Sequence, residues 1–172
     1  MDENLVLRKA KVGDALQIFK LVNRYSKQGL MLPRSQNQIY RGIRDFVVAE
    51  RDGGFIGCGA LNILWEDLAE IRSLAVVEEE QGRGVGQAMV RYLVREAHEL
   101  GVPIVFALTY APQFFLKMGF RLIDKNELPR KIWVDCIDCL KFPNCDEMAV
   151  ILDLRTDAPQ LHTSFQQQKA DI

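Results

Sequence analysis

The residues most able to do chemistry in this chain sit in two neighbouring stretches. In the first, residues 78–100 read EEEQGRGVGQAMVRYLVREAHEL, so that Gly82, Gly84 and Gly86 alternate with Arg83 and Val85 just before a long amphipathic run. Glycine is a poor helix former, and crowding it where a helix must begin suggests that something needs close access to the first backbone N–H groups. Those amides lack intrahelical partners and carry partial positive charge. Glycines beside them let a pyrophosphate approach without side-chain obstruction, and Arg83 adds a formal charge. The plainer alternative is a flexible turn before a surface helix, and composition alone leaves the two readings even.

Two familiar phosphate loops are excluded. A P-loop needs G-x-x-x-x-G-K-[ST], and no Lys-Ser or Lys-Thr pair follows these glycines. A dinucleotide fingerprint needs G-x-G-x-x-G, but the position that must be glycine is Gln87 counted from Gly82 and Met89 counted from Gly84. The pattern present is Gln81-x-x-Gly84-x-Gly86.

The second stretch is LAEIRSLAVV, directly before the glycines. Glu70 and Arg72 are the charged residues of an otherwise largely apolar strand, and period-2 geometry puts both on one face, which continues towards Leu74. A positioned carboxylate can take the proton of an attacking amine, and a guanidinium can hold a substrate carboxylate in bidentate fashion. Arg72 also favours the ionised form of Glu70, at the expense of its basicity. A solvated Glu–Arg pair on a half-exposed sheet is the alternative. Arg34, in MLPRS, is a second candidate carboxylate clamp, or a solvated loop arginine.

The remaining elements must position these groups. NLVLRKA is a strand. KVGDALQIFKLVNRYSKQ has Leu16, Ile18, Phe19 and Val22 at helical spacing with Asp14 as N-cap. Ser35 caps a short second helix through Ile43. DFVVAERDGGFIGCGALNIL is a hairpin about Arg51-Asp52-Gly53-Gly54. After the glycines, Val85, Ala88, Met89, Tyr92, Leu93, Ala97 and Leu100 line one side of a helix that Gly101 stops. PIVFALT is a strand buried on both faces, APQFFLKMGF a short helix closed by Gly119, and FRLIDK and EMAVILDL two further strands. The order is strand, two helices, three strands, helix, strand, helix, two strands, a mixed α/β layer fold around one sheet.

Composition narrows the classes. The 172 residues carry a net charge of −1 and are 48% hydrophobic, which predicts one globular domain with a real core. No global charge suggests nucleic acid or an anionic membrane. No apolar run approaches the roughly 20 residues of a membrane span, and MDENLVLRKA lacks the pattern of a signal peptide, so a cytoplasmic setting is expected. Cys136-x-x-Cys139 with Cys145 forms an incomplete zinc set; unligated thiols are the expectation, and metal binding there is only a weak alternative. Cys58 reads as a small core residue.

Gln81-x-x-Gly84-x-Gly86 resembles the acetyl-CoA signature Q/R-x-x-G-x-G/A of the GNAT N-acetyltransferase superfamily, and FFLKMGF resembles its later motif, a short helix ending in lysine-x-glycine-phenylalanine. The resemblance covers residues 5–154. It implies a GNAT fold: an α/β architecture with a mixed, mostly antiparallel sheet of six to seven strands, helices on both faces and a splayed central strand pair. It also implies an acetyltransferase domain over residues 1–154, with a cysteine-containing insertion at 126–146 and a flexible tail at 155–172.

For the site, the resemblance implies that Leu74, Ala75 and Val76 pair their backbone with the pantetheine of acetyl-CoA. Gln81, Gly82, Arg83, Gly84, Val85, Gly86 and Gln87 would cradle its pyrophosphate, with Phe115 and Lys117 at the cofactor's far side. Glu70 becomes the general base, in an A-E-I context similar to that of histone acetyltransferases. The family's thiolate-protonating tyrosine is Phe115 here, and a Phe cannot donate; Tyr110 is the substitute. GCGAL, LAEIRSLAV, LPRK and KFPNCDE resemble the short N-acetylglutamate synthase-like branch of arginine biosynthesis. That implies acetyl transfer to the α-amine of glutamate or a similar amino acid. Another amine (a protein N-terminus, lysine or polyamine) and a non-catalytic CoA sensor are the alternatives. A homodimer is plausible by resemblance. A chain of this length leaves no room for the amino-acid kinase-like domain many such synthases carry, so arginine feedback is not implied.

Overall fold

The hairpin forms where the turn chemistry puts it. Asp52 and Gly53 both take positive φ, 51° and 79°, the combination that lets a two-residue turn follow the twist of its strands. In the computed structural model, which describes residues 4–128 and 145–156, the chain begins with β1 (Leu5–Lys9), a 3₁₀ turn (Val12–Asp14), α1 (Ala15–Lys27) and α2 (Gln36–Arg41). A 3₁₀ turn (Ile43–Asp45), β2 (Phe46–Arg51), β3 (Gly54–Trp65) and β4 (Leu68–Val76) follow, then a 3₁₀ turn (Glu78–Glu80) and α3 (Val85–Glu99). The remainder is β5 (Ile104–Thr109), α4 (Pro112–Leu116), β6 (Arg121–Ile123), a 3₁₀ turn (Lys125–Glu127) and β7 (Met148–Asp153).

Seven strands form one sheet in the order β1-β2-β3-β4-β5-β7-β6. The β4–β5 pair is parallel, whereas β1–β2, β2–β3, β5–β7 and β6–β7 are antiparallel. The parallel ladder joins Leu68, Ala69 and Glu70 to Ile104, Val105 and Phe106. Beyond it β4 continues to Val76 and β5 to Thr109.

The chain divides into two compact units. The first takes the residues up to Asn62 together with Ile71–Val94. On one face of its sheet, Ile18, Leu21, Val22 and Tyr25 of α1 and Ile39 of α2 pack on Phe46, Val48, Cys58, Ala60 and Ala75. On the other, Gly57 and Gly59 make room for α3. A Cβ on Gly57 would stand 2.9 Å from the Ala75 carbonyl oxygen and 3.1 Å from Met89 Cε, and one on Gly59 would stand 2.9 Å from Leu74 Cδ1 and 3.4 Å from Leu93 Cδ1. The second unit takes Ile63–Glu70, Arg95 and the described residues after it. Its core joins Leu68, Phe106, Ala149, Ile151 and Leu128.

Four local expectations change. Asp14 stands at the N-cap of α1 without capping it. Its carboxylate instead accepts from the Lys11 amide and from Arg8. On α1, Leu16 is exposed and the buried stripe is Ile18, Leu21, Val22 and Tyr25. On α3, Val90 and Val94 join the buried face, while Leu100, past the helix end, is exposed. The Ser35 cap holds: its hydroxyl accepts from the Gln38 amide while Gln38 Oε1 accepts from the Ser35 amide, a reciprocal capping box. That helix ends at Arg41 rather than Ile43.

Candidate active site

In the first unit, residues 81–87 run from an exposed turn into a buried helix start. Gly82 and Gly84 take φ of 74° and 80°, and a Cβ on either would meet no atom within 4 Å. Backbone conformation therefore demands glycine here, and the space beside it is open. Val85 is buried and anchors α3. The first helical bond runs from Ala88 N–H to the Gly84 carbonyl at 2.9 Å, so the amides of Val85, Gly86 and Gln87 precede the ladder and have no partner one turn back. An open, left-handed double-glycine turn feeding a 15-residue helix fits a diphosphate held by main-chain donors.

Two neighbours shape this turn. Gln81 Nε2 donates to Tyr25 Oη at 2.9 Å and to the Val76 carbonyl at 3.1 Å, and Tyr25 Oη donates to the same carbonyl at 2.5 Å. Burial pushes the Tyr25 phenol up, which keeps it protonated as a donor. Arg83 lies 3.6 Å from Glu80 Oε1, while Arg51 Nε donates to Glu80 Oε2 at 2.9 Å. The Arg83 charge expected beside the cradle is thus shared with Glu80.

On β4, Arg72 donates through Nη2 to Asn62 Oδ1, and Asn62 Nδ2 lies 3.5 Å from Asp45 Oδ2. Asn62 follows Cys58 and Ala60 at strand spacing, so Arg72 lies on the α1–α2 side of the first unit's sheet. Leu74 does not continue that face. Its Cδ1 lies against Gly59 and Leu93 on the α3 side. The cause is Ser73, whose φ of 55° is the left-handed exception within β4: one residue out of extended geometry reverses the alternation that follows. The Ser73 carbonyl accepts from Cys58 Sγ at 3.6 Å. Cys58 is fully buried, and burial pushes its thiol up to about 12; it is the small core residue that its setting suggests.

Arg34 is placed by a residue that motif reading missed. Its N–H donates to Asn23 Oδ1 at 3.2 Å and its carbonyl accepts from Asn23 Nδ2 at 2.8 Å. Asn23 thus mimics a strand partner from α1. Its only sequence signal is a weak one, a poor helix former next to the buried stripe.

In the second unit, Glu70 occupies the last rung of the parallel ladder, opposite Phe106. Phe115 is buried, edge-to-face with Phe114 at 5.1 Å and Phe120 at 5.2 Å. Lys117, at the end of α4, is exposed. Tyr110 Oη donates to Asp146 Oδ1 at 2.6 Å, a partner not foreseen. Cys145 Sγ lies 3.8 Å from Glu147 Oε2. Cys136 and Cys139 lie outside the described residues, and among the described residues no group of three or more His, Cys, Asp or Glu could hold a metal ion. Among the same residues no helix is long and apolar enough to cross a membrane.

A model of the acetyltransferase (GNAT) family matches residues 15–120. The chain is 43% identical over 148 residues to an uncharacterized N-acetyltransferase of Chlorobaculum tepidum, covering 86% of this chain and 96% of that protein. It is 35% identical over 131 residues to an amino-acid acetyltransferase of Mycobacterium tuberculosis, 74% of this chain and 75% of the relative. Among solved structures, Rv2747 from Mycobacterium tuberculosis in complex with CoA superposes with a TM-score of 0.77 at 30% identity over 87% of this chain and 99% of that one. N-acetylglutamate synthase from Neisseria gonorrhoeae complexed with coenzyme A and N-acetyl-glutamate gives 0.78 at 26% identity over 90% of this chain, which spans 36% of that one.

Proposed function

The chain belongs to the GNAT acetyltransferase family, and from that premise we propose that it transfers the acetyl group of acetyl-CoA to the α-amine of glutamate or a closely similar amino acid. The observation that carries this reading is Glu70 and Arg72 two residues apart on β4, one strand exit before the left-handed turn at Gly82 and Gly84. One strand thereby offers a base for the amine and a cation for the acceptor's carboxylate.

Acetyl-CoA supplies an activated acyl carbon and a good leaving thiolate. The amides that open α3 hold its diphosphate, and the end of β4, past the left-handed Ser73, pairs with its pantetheine arm. Arg72, with Arg34 as a second clamp, holds the acceptor's carboxylate. Glu70 removes the ammonium proton, directly or through one water. The neutral nitrogen then attacks the thioester carbon, its second proton passes to solvent, and the C–S bond breaks as the amide forms. The thiolate leaves and regains a proton from Tyr110, whose hydroxyl must first turn from Asp146, or from water. Cationic acceptors such as lysine side chains and polyamines are disfavoured by the two arginines. Names borne by relatives support the amino-acid acceptor; a place in arginine biosynthesis, in the cytoplasm, is part of the same proposal.

A thiol-release assay over glutamate, aspartate, glutamine, lysine and spermidine tests the reading. Glutamate-dependent release well above that with the cationic amines is expected. Binding of CoA with no release for any amine, or release strongest with spermidine, overturns it.

A further inference from the structure

Tyr25, on the last turns of α1, has an atom arrangement that packing alone does not require. Its ring is buried in the first unit's core, with 5% of the residue exposed, yet its hydroxyl reaches 51 residues along the chain to the Val76 carbonyl at 2.5 Å. It also accepts from Gln81 Nε2 at 2.9 Å, and Gln81 closes the triangle by donating to Val76 at 3.1 Å. Val76 is the last residue of β4 and Gln81 the last before the Gly82 turn. Between them lie Val77, whose N–H donates to the Ile56 carbonyl at 2.9 Å, and the 3₁₀ turn Glu78–Glu80. The triangle therefore staples both ends of a short connector.

From this arrangement we infer that Tyr25 is a positioning residue for coenzyme binding: its hydroxyl fixes the path from the end of β4 to the start of α3, so that the main-chain donors after Gln81 are set before the diphosphate arrives. The inference rests on the cradle reading above. The chemistry is that of preorganisation. A carbonyl at a strand end needs a partner, and two donors hold it in one orientation. A connector between two glycines of left-handed conformation and a strand would otherwise sample many paths, and ordering it would weaken binding. Gln81 acts through its side chain as the latch of this staple, while its exposed position leaves its main chain at the mouth of the turn. Tyr25 touches none of the reacting atoms, so its removal should appear in coenzyme affinity and not in the chemical step.

The test compares wild type, Tyr25→Phe, Gln81→Ala, the double variant and Gly84→Val, by calorimetry with CoA and by steady-state kinetics with acetyl-CoA. Tyr25→Phe keeps the ring and removes only the hydroxyl, and it is expected to raise the CoA Kd and the acetyl-CoA KM about three- to tenfold, the scale of one net hydrogen bond. The kcat and the acceptor KM should stay within about twofold. Gln81→Ala, an exposed change that leaves the core intact, should give a similar rise, and the double variant should be little worse than either, because both break one staple. A lowered melting temperature with unchanged Kd in Tyr25→Phe, or full additivity in the double variant, overturns the inference. Gly84→Val separates the two layers: if it abolishes CoA binding while Tyr25→Phe is silent, the cradle stands and the staple does not. If Gly84→Val binds CoA as well as wild type, the cradle reading itself fails and the inference with it.

Discussion

Glu70 and Arg72 differ in what each would do for the same acceptor, and kinetics can separate them. A base acts in the transition state; a carboxylate clamp acts in the bound complex as well. Glu70→Gln keeps size and polarity while removing the proton acceptor. It is expected to lower kcat by about 10²- to 10⁴-fold with the acetyl-CoA KM little changed. Arg72→Met keeps the apolar stem and removes the charge. It is expected to raise the glutamate KM about tenfold or more, as for loss of a charge-assisted bond, and to leave CoA affinity unaltered. Equal loss of kcat in both variants, with both KM values unmoved, would assign the pair to the strand's structure. That these two residues lie two apart on one strand was legible in the sequence. Asn62, which receives Arg72, was not, because the bond joins residues ten apart across a strand pair. Nor were Tyr25 as partner of Gln81 or Asn23 as partner of Arg34. In each case a polar residue inside a helix or strand pattern gains meaning only from what folding brings against it.

At the scale of elements, periodicity and turn chemistry located every strand and α-helix of the described chain within a few residues, since the signals involved are local: two turn residues at Asp52 and Gly53, a Ser35 N-cap, a glycine stop at Gly101. What stayed hidden is the reversal at Ser73. Serine has no preference for left-handed backbone, and the conformation arises from pairing. The two glycines of β3 tell a related story, and they make distinct predictions although their neighbouring atoms lie at the same 2.9 Å. At Gly57 the obstructing atom is the Ala75 carbonyl oxygen, part of the sheet, which cannot withdraw without breaking the β3–β4 approach. At Gly59 it is the terminal Cδ1 of Leu74, which can rotate away. Gly57→Ala is therefore expected to cost about 2–3 kcal/mol and Gly59→Ala about 1 kcal/mol or less, on the scale of overpacked cores. Urea unfolding of both variants measures the difference. A larger loss at Gly59 would mean that Leu74 is held by α3 as firmly as the backbone is.

For the molecule as a whole, response to acid offers the sharpest forecast, because one guanidinium gathers carboxylates from separate segments. Arg8 of β1 grips Asp14 through Nη1 at 2.8 Å and Nη2 at 2.9 Å, and reaches Glu50 of β2 through Nη2 at 2.6 Å and Nε at 3.1 Å. The Lys11 amide adds a donor to Asp14 at 2.7 Å. Asp14 keeps 14% side-chain exposure, so water screens the pair only in part. These bonds, with that from Arg8 the largest, hold the Asp14 carboxyl below its ordinary value of 3.8, against the opposing effect of burial. A carboxylate lowered by folding stabilises the native state wherever it is ionised in both states. That contribution is complete above the ordinary value and disappears as pH falls through the lower, folded one. Asp14→Asn retains an acceptor for the Lys11 amide but forfeits the charge, and is expected to cost about 1–2 kcal/mol at pH 7. Comparing wild type with the variant cancels every carboxylate the two share. The gap between their urea midpoints should hold from pH 7 down to about pH 5, and close as pH falls through the ordinary carboxylate value and then the lower, folded one. A gap unchanged at low pH would show that Asp14 acts by shape alone and that its ion pair with Arg8 contributes nothing to folding.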